Sequence, residues 1–283
     1  MQPIFVGDVQ GCADELNEMI GRGDAEFGSE WVLWLVGDLV NRGPANRRVL
    51  ESVRDRVERG RARLVLGNHD VAFLRAHYGL SEPGPYDTLA DLLDHPDSGE
   101  WADWLRRQPL LAAGELGARK FLMVHAAVDP VWDWAEAQSQ LARVEAELRH
   151  DEPDHYRALL TRGSPATPEA ERLGRVTRCR SVGPGDRWSA SVPDAGSGEV
   201  PWHVRWSERH HDYGIVYGHW ALQGLHVAPG LRGLDTGCVH HGRDHEGFLT
   251  AWVPDMSAPD PFAVSETHFW QVRARRRYYQ KDP

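Results

Sequence analysis

Thiols are scarce in this chain. Cys12, Cys179 and Cys238 are its three cysteines, an odd number spread far apart. No disulfide framework is readable from them, and a reducing compartment fits. Long apolar runs are missing as well: none approaches the ~20 residues that a membrane span needs. The start, Met1-Gln2-Pro3-Ile4, leads straight into an apolar run, without the basic and then apolar segment of a secretory signal. These features predict a cytoplasmic protein with no membrane partner. Basic charge is outnumbered, with 32 Lys and Arg against 42 Asp and Glu and a formal charge of -10. That argues against a general binder of nucleic acid or anionic membrane and leaves room for a local basic cleft. No repeat of fixed period occurs. The 283 residues, 41% hydrophobic and 26% charged, suffice for a large core in one domain.

One punctuation recurs along the chain. Trp31-Val32-Leu33-Trp34-Leu35-Val36 ends in Gly37-Asp38. Residues 3–6 end in Gly7-Asp8, residues 63–66 in Gly67-Asn68-His69-Asp70, residues 121–124 in His125, and residues 215–217 in Gly218-His219. Continuous apolar runs read as buried strands of a parallel sheet. The C-terminal edge of such a sheet is where ligands bind. Helical spacing over 13–20 and 47–59 gives residues 3–70 a strand–helix–strand–helix–strand grammar. Further on, the pattern predicts a helix over 101–108 stopped by Pro109 and another over 132–148. It also predicts strands over 120–124, 214–217, 231–234 and 248–253. Residues 150–200 carry Pro153, Pro165, Pro168, Pro184 and Pro193 and read as an irregular insertion within a single domain spanning 1–283. Residues 271–283 read as a basic, solvated tail.

Asp8, Asp38, Asn68, His125 and His219 are oxygen and nitrogen donors with no thiolate set beside them. That chemistry points to Mn, Fe, Co or Zn in an open catalytic site rather than a structural zinc. Asp38 offers two carboxylate oxygens and suits a bridge between two cations roughly 3.5–4 Å apart, a spacing that clamps a phosphoryl group. Arg42 has the planar guanidinium of a phosphate binder, and His69 sits where it can protonate a leaving oxygen. Other candidates have blander readings. Asp14, Asp24 and Asp87 read as turns or caps, and His210-His211 and His240-His241 as surface loops. Trp31, Trp34, Trp101 and Trp104 read as core. Trp220, beside His219, reads first as packing and second as a platform for a base.

Gly-Asp-x-x-Gly, Gly-Asp-x-Val-x-Arg-Gly and Gly-Asn-His-Asp, followed by two separated histidines, resemble the metallophosphoesterases of the phosphoprotein-phosphatase type. Further stretches resemble their bacterial symmetrical bis(5'-nucleosyl)-tetraphosphatase branch: residues 104–110, Met123-Val124-His125-Ala126, Thr177-Arg178-Cys179-Arg180, Tyr217-Gly218-His219-Trp220 and Leu234-Asp235-Thr236-Gly237-Cys238. The resemblance implies an α/β fold, a four-layer αββα sandwich of mixed sheets with a helical and loop insertion. It implies two divalent cations, Mn first and Co, Fe or Zn after it. Asp8 and Gln10 would hold the first, Asp38 would bridge, and Asn68, His125 and His219 would hold the second. His69 would be the general acid, and Arg42 would bind the reacting phosphate with Arg178 or Arg180 as further candidates. The implied reaction splits diadenosine tetraphosphate into two ADP. Gln10 stands where many relatives have His. Asn41 stands where protein phosphatases have Asp, so His69 is expected to lack a carboxylate that orients it. Alternative substrates are a phosphoprotein or the nucleoside-tetraphosphate cap of RNA, and Gln10 with Asn41 motivates a non-catalytic nucleotide sensor.

Overall fold

The structure, a computed structural model, describes residues 1–161, 167–194, 196–242, 246–263 and 268–278. The chain opens with β1 (Gln2–Val6), α1 (Ala13–Phe27), β2 (Trp31–Leu35), α2 (Asn46–Glu58) and β3 (Ala62–Leu64). The helices α3 (Asn68–His77), α4 (Ala90–Leu93) and α5 (Ser98–Arg106) lead to the hairpin β4 (Leu111–Leu116) and β5 (Arg119–Val124). Then come α6 (Trp134–Arg149), α7 (Pro153–Leu160) and α8 (Pro168–Arg178), followed by the short strands β6 (Ser181–Val182), β7 (Trp188–Ser189) and β8 (Val200–Pro201). The remainder is α9 (Trp202–Ser207), β9 (Tyr213–Tyr217), β10 (His226–Ala228), β11 (Leu231–Gly233), β12 (Asp235–Thr236), β13 (Phe248–Trp252) and β14 (Phe269–Arg273).

Two mixed sheets form the centre. The first runs β12-β13-β1-β2-β3, with β14 also on β13, and β1, β2 and β3 are parallel. The second runs β10-β11-β9-β5-β4, with β5, β9 and β11 parallel. Side chains alternate across each strand, so both faces must be apolar where both are covered. In β1 and β2, Phe5, Val32 and Trp34 join Phe121, Met123 and Val216 of the second sheet in one cluster. The Phe5 and Trp34 rings lie 5.3 and 5.4 Å from Phe121, which ties the sheets face to face. The opposite faces, with Ile4, Val6, Leu33 and Leu122, pack in a cluster that also holds Leu16, Met19 and Leu50 of α1 and α2 and Leu141 and Val144 of α6. Helices therefore cover both outer faces, the αββα order the resemblance implied.

Residues 150–200 correct the expectation of an irregular segment. They hold α7 and α8, one on either side of undescribed residues 162–166, and all but the last residue of a three-stranded antiparallel sheet, β7-β6-β8. Pro153 and Pro168 stand in the first turns of α7 and α8. There the fixed φ suits the helix and the missing N–H is not needed, so these prolines start helices rather than break them. Leu159, Leu160, Leu173 and Val176 bury their side chains in the common core. The tail is also more ordered than expected. Residues 269–273 form an edge strand, and Arg275 donates its backbone N–H to Glu15 and its guanidinium to Glu18. Lys281, at the end of the tail, lies outside the described residues. The helix expected over 132–148 starts at Trp134, capped by the Asp133 side chain.

Candidate active site

Parallel strands leave their C-terminal ends on one edge. Asp8 follows β1, Asp38 follows β2, Asn68 follows β3, His125 follows β5 and His219 follows β9. The two sheets thus bring five donors from distant parts of the chain to one place. Asp38, His125 and His219 each offer a ligand atom within 4.8 Å of one another. His125 Nε2 lies 3.1 Å from Asn68 Oδ1 and 3.4 Å from Asp38 Oδ2. Asp8 accepts the His219 backbone N–H at 3.1 and 3.2 Å. Gln10, Asp38, Asn68, His69, Arg180, His219 and Asp235 line a cavity of about 500 Å³ above this floor. Trp220, Val192 and Leu222 form its apolar side. Arg42 and Arg178 are not in that cavity. They line an adjoining one of about 270 Å³ with Tyr86 and Asp87, and Asn68 and His69 belong to both.

Local backbone shape is unusual here. Gln10, Asp38, Asn41, Arg42 and His219 all have positive φ, between 45° and 79°. Non-glycine residues rarely adopt that region, and such strain persists only where the surroundings hold it. The flanking glycines have a separate reason: a Cβ at Gly67 would collide with the Asp38 carboxylate, and one at Gly218 with that of Asp8. Asn68 opens α3, so the positive end of the helix faces the site. Asp70 accepts the N–H of Gly67 and of Leu39 at 2.9 Å each, locking the helix start to the loop after Asp38.

Hydrogen bonds orient the imidazoles. His125 Nδ1–H donates to Val36 O at 3.0 Å, which turns Nε2 toward the oxygens of Asp38 and Asn68; burial would lower the pKa of this ring, but Asp38 outweighs it and raises it. His219 Nε2–H donates to Arg178 O at 3.1 Å and leaves Nδ1 as its free donor atom. Backbone carbonyls commonly hold metal-ligating histidines in this way. Burial, with Asp235 and Asp38 next to it, pushes the Asp8 carboxyl well above its ordinary range. Burial, reinforced by Asp38, also lifts Asp235 to about 6 and Asp70 to about 7. At Asp38 burial acts the same way, but His125 and His69 outweigh it and hold the carboxyl low. Burial, then His125 and Arg180, push His219 well down. Four buried carboxyls around two inward-facing imidazole nitrogens are costly to leave without positive charge. Carboxylate and amide oxygens with imidazole nitrogens are a donor set that fits a divalent cation.

His69 has no carboxylate on Nδ1 and is oriented by an amide instead. Asn41 Oδ1 accepts the N–H groups of Arg42 and Thr88 at 2.8 and 3.0 Å, so its amide nitrogen must point the other way. That nitrogen donates to Asp87 Oδ1 at 2.8 Å and to His69 Nδ1 at 2.9 Å. His69 is therefore a neutral imidazole with its proton on Nε2. Burial lowers its pKa, Asp38 opposes this, and Arg42 reinforces it. Asp87, which reads in the sequence as a turn residue, anchors the arrangement and pairs with Arg42 at 3.4 Å.

A family model for calcineurin-like phosphoesterases matches residues 1–221. Symmetrical bis(5'-nucleosyl)-tetraphosphatases of Citrobacter koseri and Klebsiella pneumoniae are 38% and 36% identical over 256 residues, 86% of this chain and 89% of each relative. The chain belongs to the calcineurin-like phosphoesterase family, in its symmetrical bis(5'-nucleosyl)-tetraphosphatase branch. A crystal structure provisionally described as a diadenosine tetraphosphatase shares the fold, with a TM-score of 0.62 and 24% identity over 96% of this chain and 93% of that one.

In this phosphoesterase the sequence reading missed three acidic residues at the site: Asp70, Asp87 and Asp235. Asp235 carried a usable signal, because Leu231 to Leu234 ends in Asp as the five other runs end in a donor. Asp87 carried none. His240, read as a surface loop, lines the larger cavity. Arg178 ends α8 rather than sitting in a loop, and Arg180 donates to Ala190 O and to His219 O.

Proposed function

We propose that this phosphoesterase hydrolyses dinucleoside tetraphosphates symmetrically, converting diadenosine tetraphosphate and water to two ADP. One observation carries the reading: two cavities meet at Asn68 and His69, directly beside the donor cluster. A two-armed substrate with its reacting bond at the centre fits that plan. One nucleoside lies along Trp220, Val192 and Leu222, the last 81% exposed at the cavity mouth. The other half runs past Arg42, Tyr86 and Arg178.

In this reading Asp8 and Gln10 would hold one divalent cation and Asn68, His125 and His219 a second, with Asp38 serving both, and Mn is the first candidate metal. When bound, the cations supply Lewis acidity and an acidified water. Arg42 and Arg180 face the phosphates from the two cavities and neutralise charge that builds on their oxygens. Water attacks an inner phosphorus, the bond to the bridging oxygen breaks, and ADP leaves. His69 Nε2–H hydrogen-bonds the departing oxygen. ADP is a stable anion and needs no full proton, so a neutral imidazole suffices. An alkoxide leaving group would need an imidazolium, which the Asn41 donor disfavours. That supports an anhydride substrate over a phosphoprotein. Capped RNA is disfavoured because Arg273 and Arg275 of the basic tail are paired with Glu246 and Glu18. A nucleotide substrate and three free thiols accord with the cytoplasm, and no described helix is long and apolar enough to cross a membrane.

The test is product analysis after incubating metal-stripped protein with diadenosine tetraphosphate, with and without Mn. ADP alone, formed only with metal, is the expected result. AMP plus ATP would overturn the cleavage position. Tight binding with no product at any metal concentration would favour the sensor.

A further inference from the structure

Below the loops that carry Asp8 and Asp235 lies a second cluster, of different chemistry. Cys12, Glu15 and Cys238 each offer a ligand atom within 4.8 Å of one another, and all three are buried. Cys12 and Cys238 are free thiols, and the Cys12 S–H points to Gln10 O at 3.9 Å. Glu15 is fully buried in the first turn of α1. Its Oε1 accepts the Arg275 N–H at 2.8 Å and the Tyr278 hydroxyl at 2.5 Å. Its Oε2 is buried with no hydrogen-bond partner. A buried carboxylate oxygen without a donor is costly and calls for an explanation.

We propose that Cys12, Glu15 and Cys238 form a binding site for a soft divalent cation, zinc in particular, separate from the oxygen and nitrogen site above it. Thiolates select zinc over manganese or magnesium. The donors, now within 4.8 Å of one another, must close to about 3.8 Å, the edge of a tetrahedron with ~2.3 Å metal–sulfur bonds. Binding releases the two thiol protons to solvent. Two thiolates and one carboxylate around a dication leave one negative charge; without the cation, burial, then Cys238 and Glu15, keep the Cys12 thiol protonated, with Arg276 opposing them. Glu15 Oε2 becomes a ligand, while Oε1 keeps its two donors. The occupied site ties together the loop after β1, the turn after β12 and the C-terminal segment 274–278. That segment covers Glu15 through Arg275 and Tyr278.

The experiment uses reduced full-length protein already saturated with Mn, titrated with Co2+. One equivalent should add sulfur-to-cobalt charge-transfer absorption in the near ultraviolet, which Zn2+ abolishes. Cys12→Ser and Cys238→Ser should each remove it, and Cys179→Ser should not. A second measurement needs no variant. Zn2+ should slow alkylation of Cys12 and Cys238 at least tenfold, resolved by peptide mass, and leave Cys179 unchanged. Absence of the absorption at saturating Co2+, its survival in the Cys12→Ser/Cys238→Ser double variant, or equal slowing at all three thiols would overturn the proposal.

Discussion

The hydrogen bonds of Asn41 decide the protonation of His69, and through it the kind of leaving group the site suits. Exchanging the pair, Asn41→Asp with Asp87→Asn, keeps the number of hydrogen bonds and puts a carboxylate directly against Nδ1. His69 then gains a proton more readily. The ratio of kcat/KM for an alkyl phosphomonoester to that for diadenosine tetraphosphate should rise at least tenfold, within the ~10²–10⁴ range of general acid catalysis. An unchanged ratio would remove Asn41 from the account of specificity. Roles within the donor cluster separate by metal analysis: Asp38→Ala should lose both cations, and His69→Ala should lose turnover with both retained. A third prediction concerns His203, which burial and the neighbouring His226 depress to about 4. Its Nε2 stands 2.8 Å from Gln223 Nε2 and can only accept there. Because the folded value lies below the ordinary 6.5, neutral His203 contributes stability that is full above pH 6.5 and lost as pH falls through 4. His203→Gln should flatten that limb of the thermal unfolding midpoint plotted against pH. Parallel curves for the two proteins would refute it.

Elements differ in how openly the sequence declares them. β1, β2, β5 and β9 are buried on both faces, so their apolar runs are continuous and their exits stand out. The donors Asp8, Asp38, His125 and His219 could be read for that reason. The sheet β7-β6-β8 has strands of two residues, too short for any period to show. Asp87 reaches the site from a turn whose chemistry is local and whose contact with Asn41 spans 46 residues. Nothing in the chain around it marks that contact. Prolines misled for a physical reason, since the same ring that ends a helix also fits its first turn. α8 gives a direct test. Thr167 caps it by accepting the Ala170 N–H at 3.1 Å, and Thr167→Ala should cost about 1 kcal/mol. α8 ends in Arg178, so warming should reduce activity earlier in this variant than in the parent, with equal activity in the cold.

The whole molecule is held across its middle by few, large side chains. Phe121 meets Phe5 and Trp34 from the facing sheet, and Phe121→Ala should lower stability by about 3–5 kcal/mol in a urea titration. The same cross-sheet plan governs the donors, three of which follow strands of one sheet and two of the other. No half of the fold holds the set alone. A ribosome must therefore carry synthesis from Asp8 through His219, and further to clear its exit tunnel, before the last imidazole can join the others. Until then the five donors stand singly, far apart along the chain, and nothing holds them in the folded arrangement. The donor set is a property of the folded molecule, and it opens on the cavity that Gln10, Asp38 and His219 line.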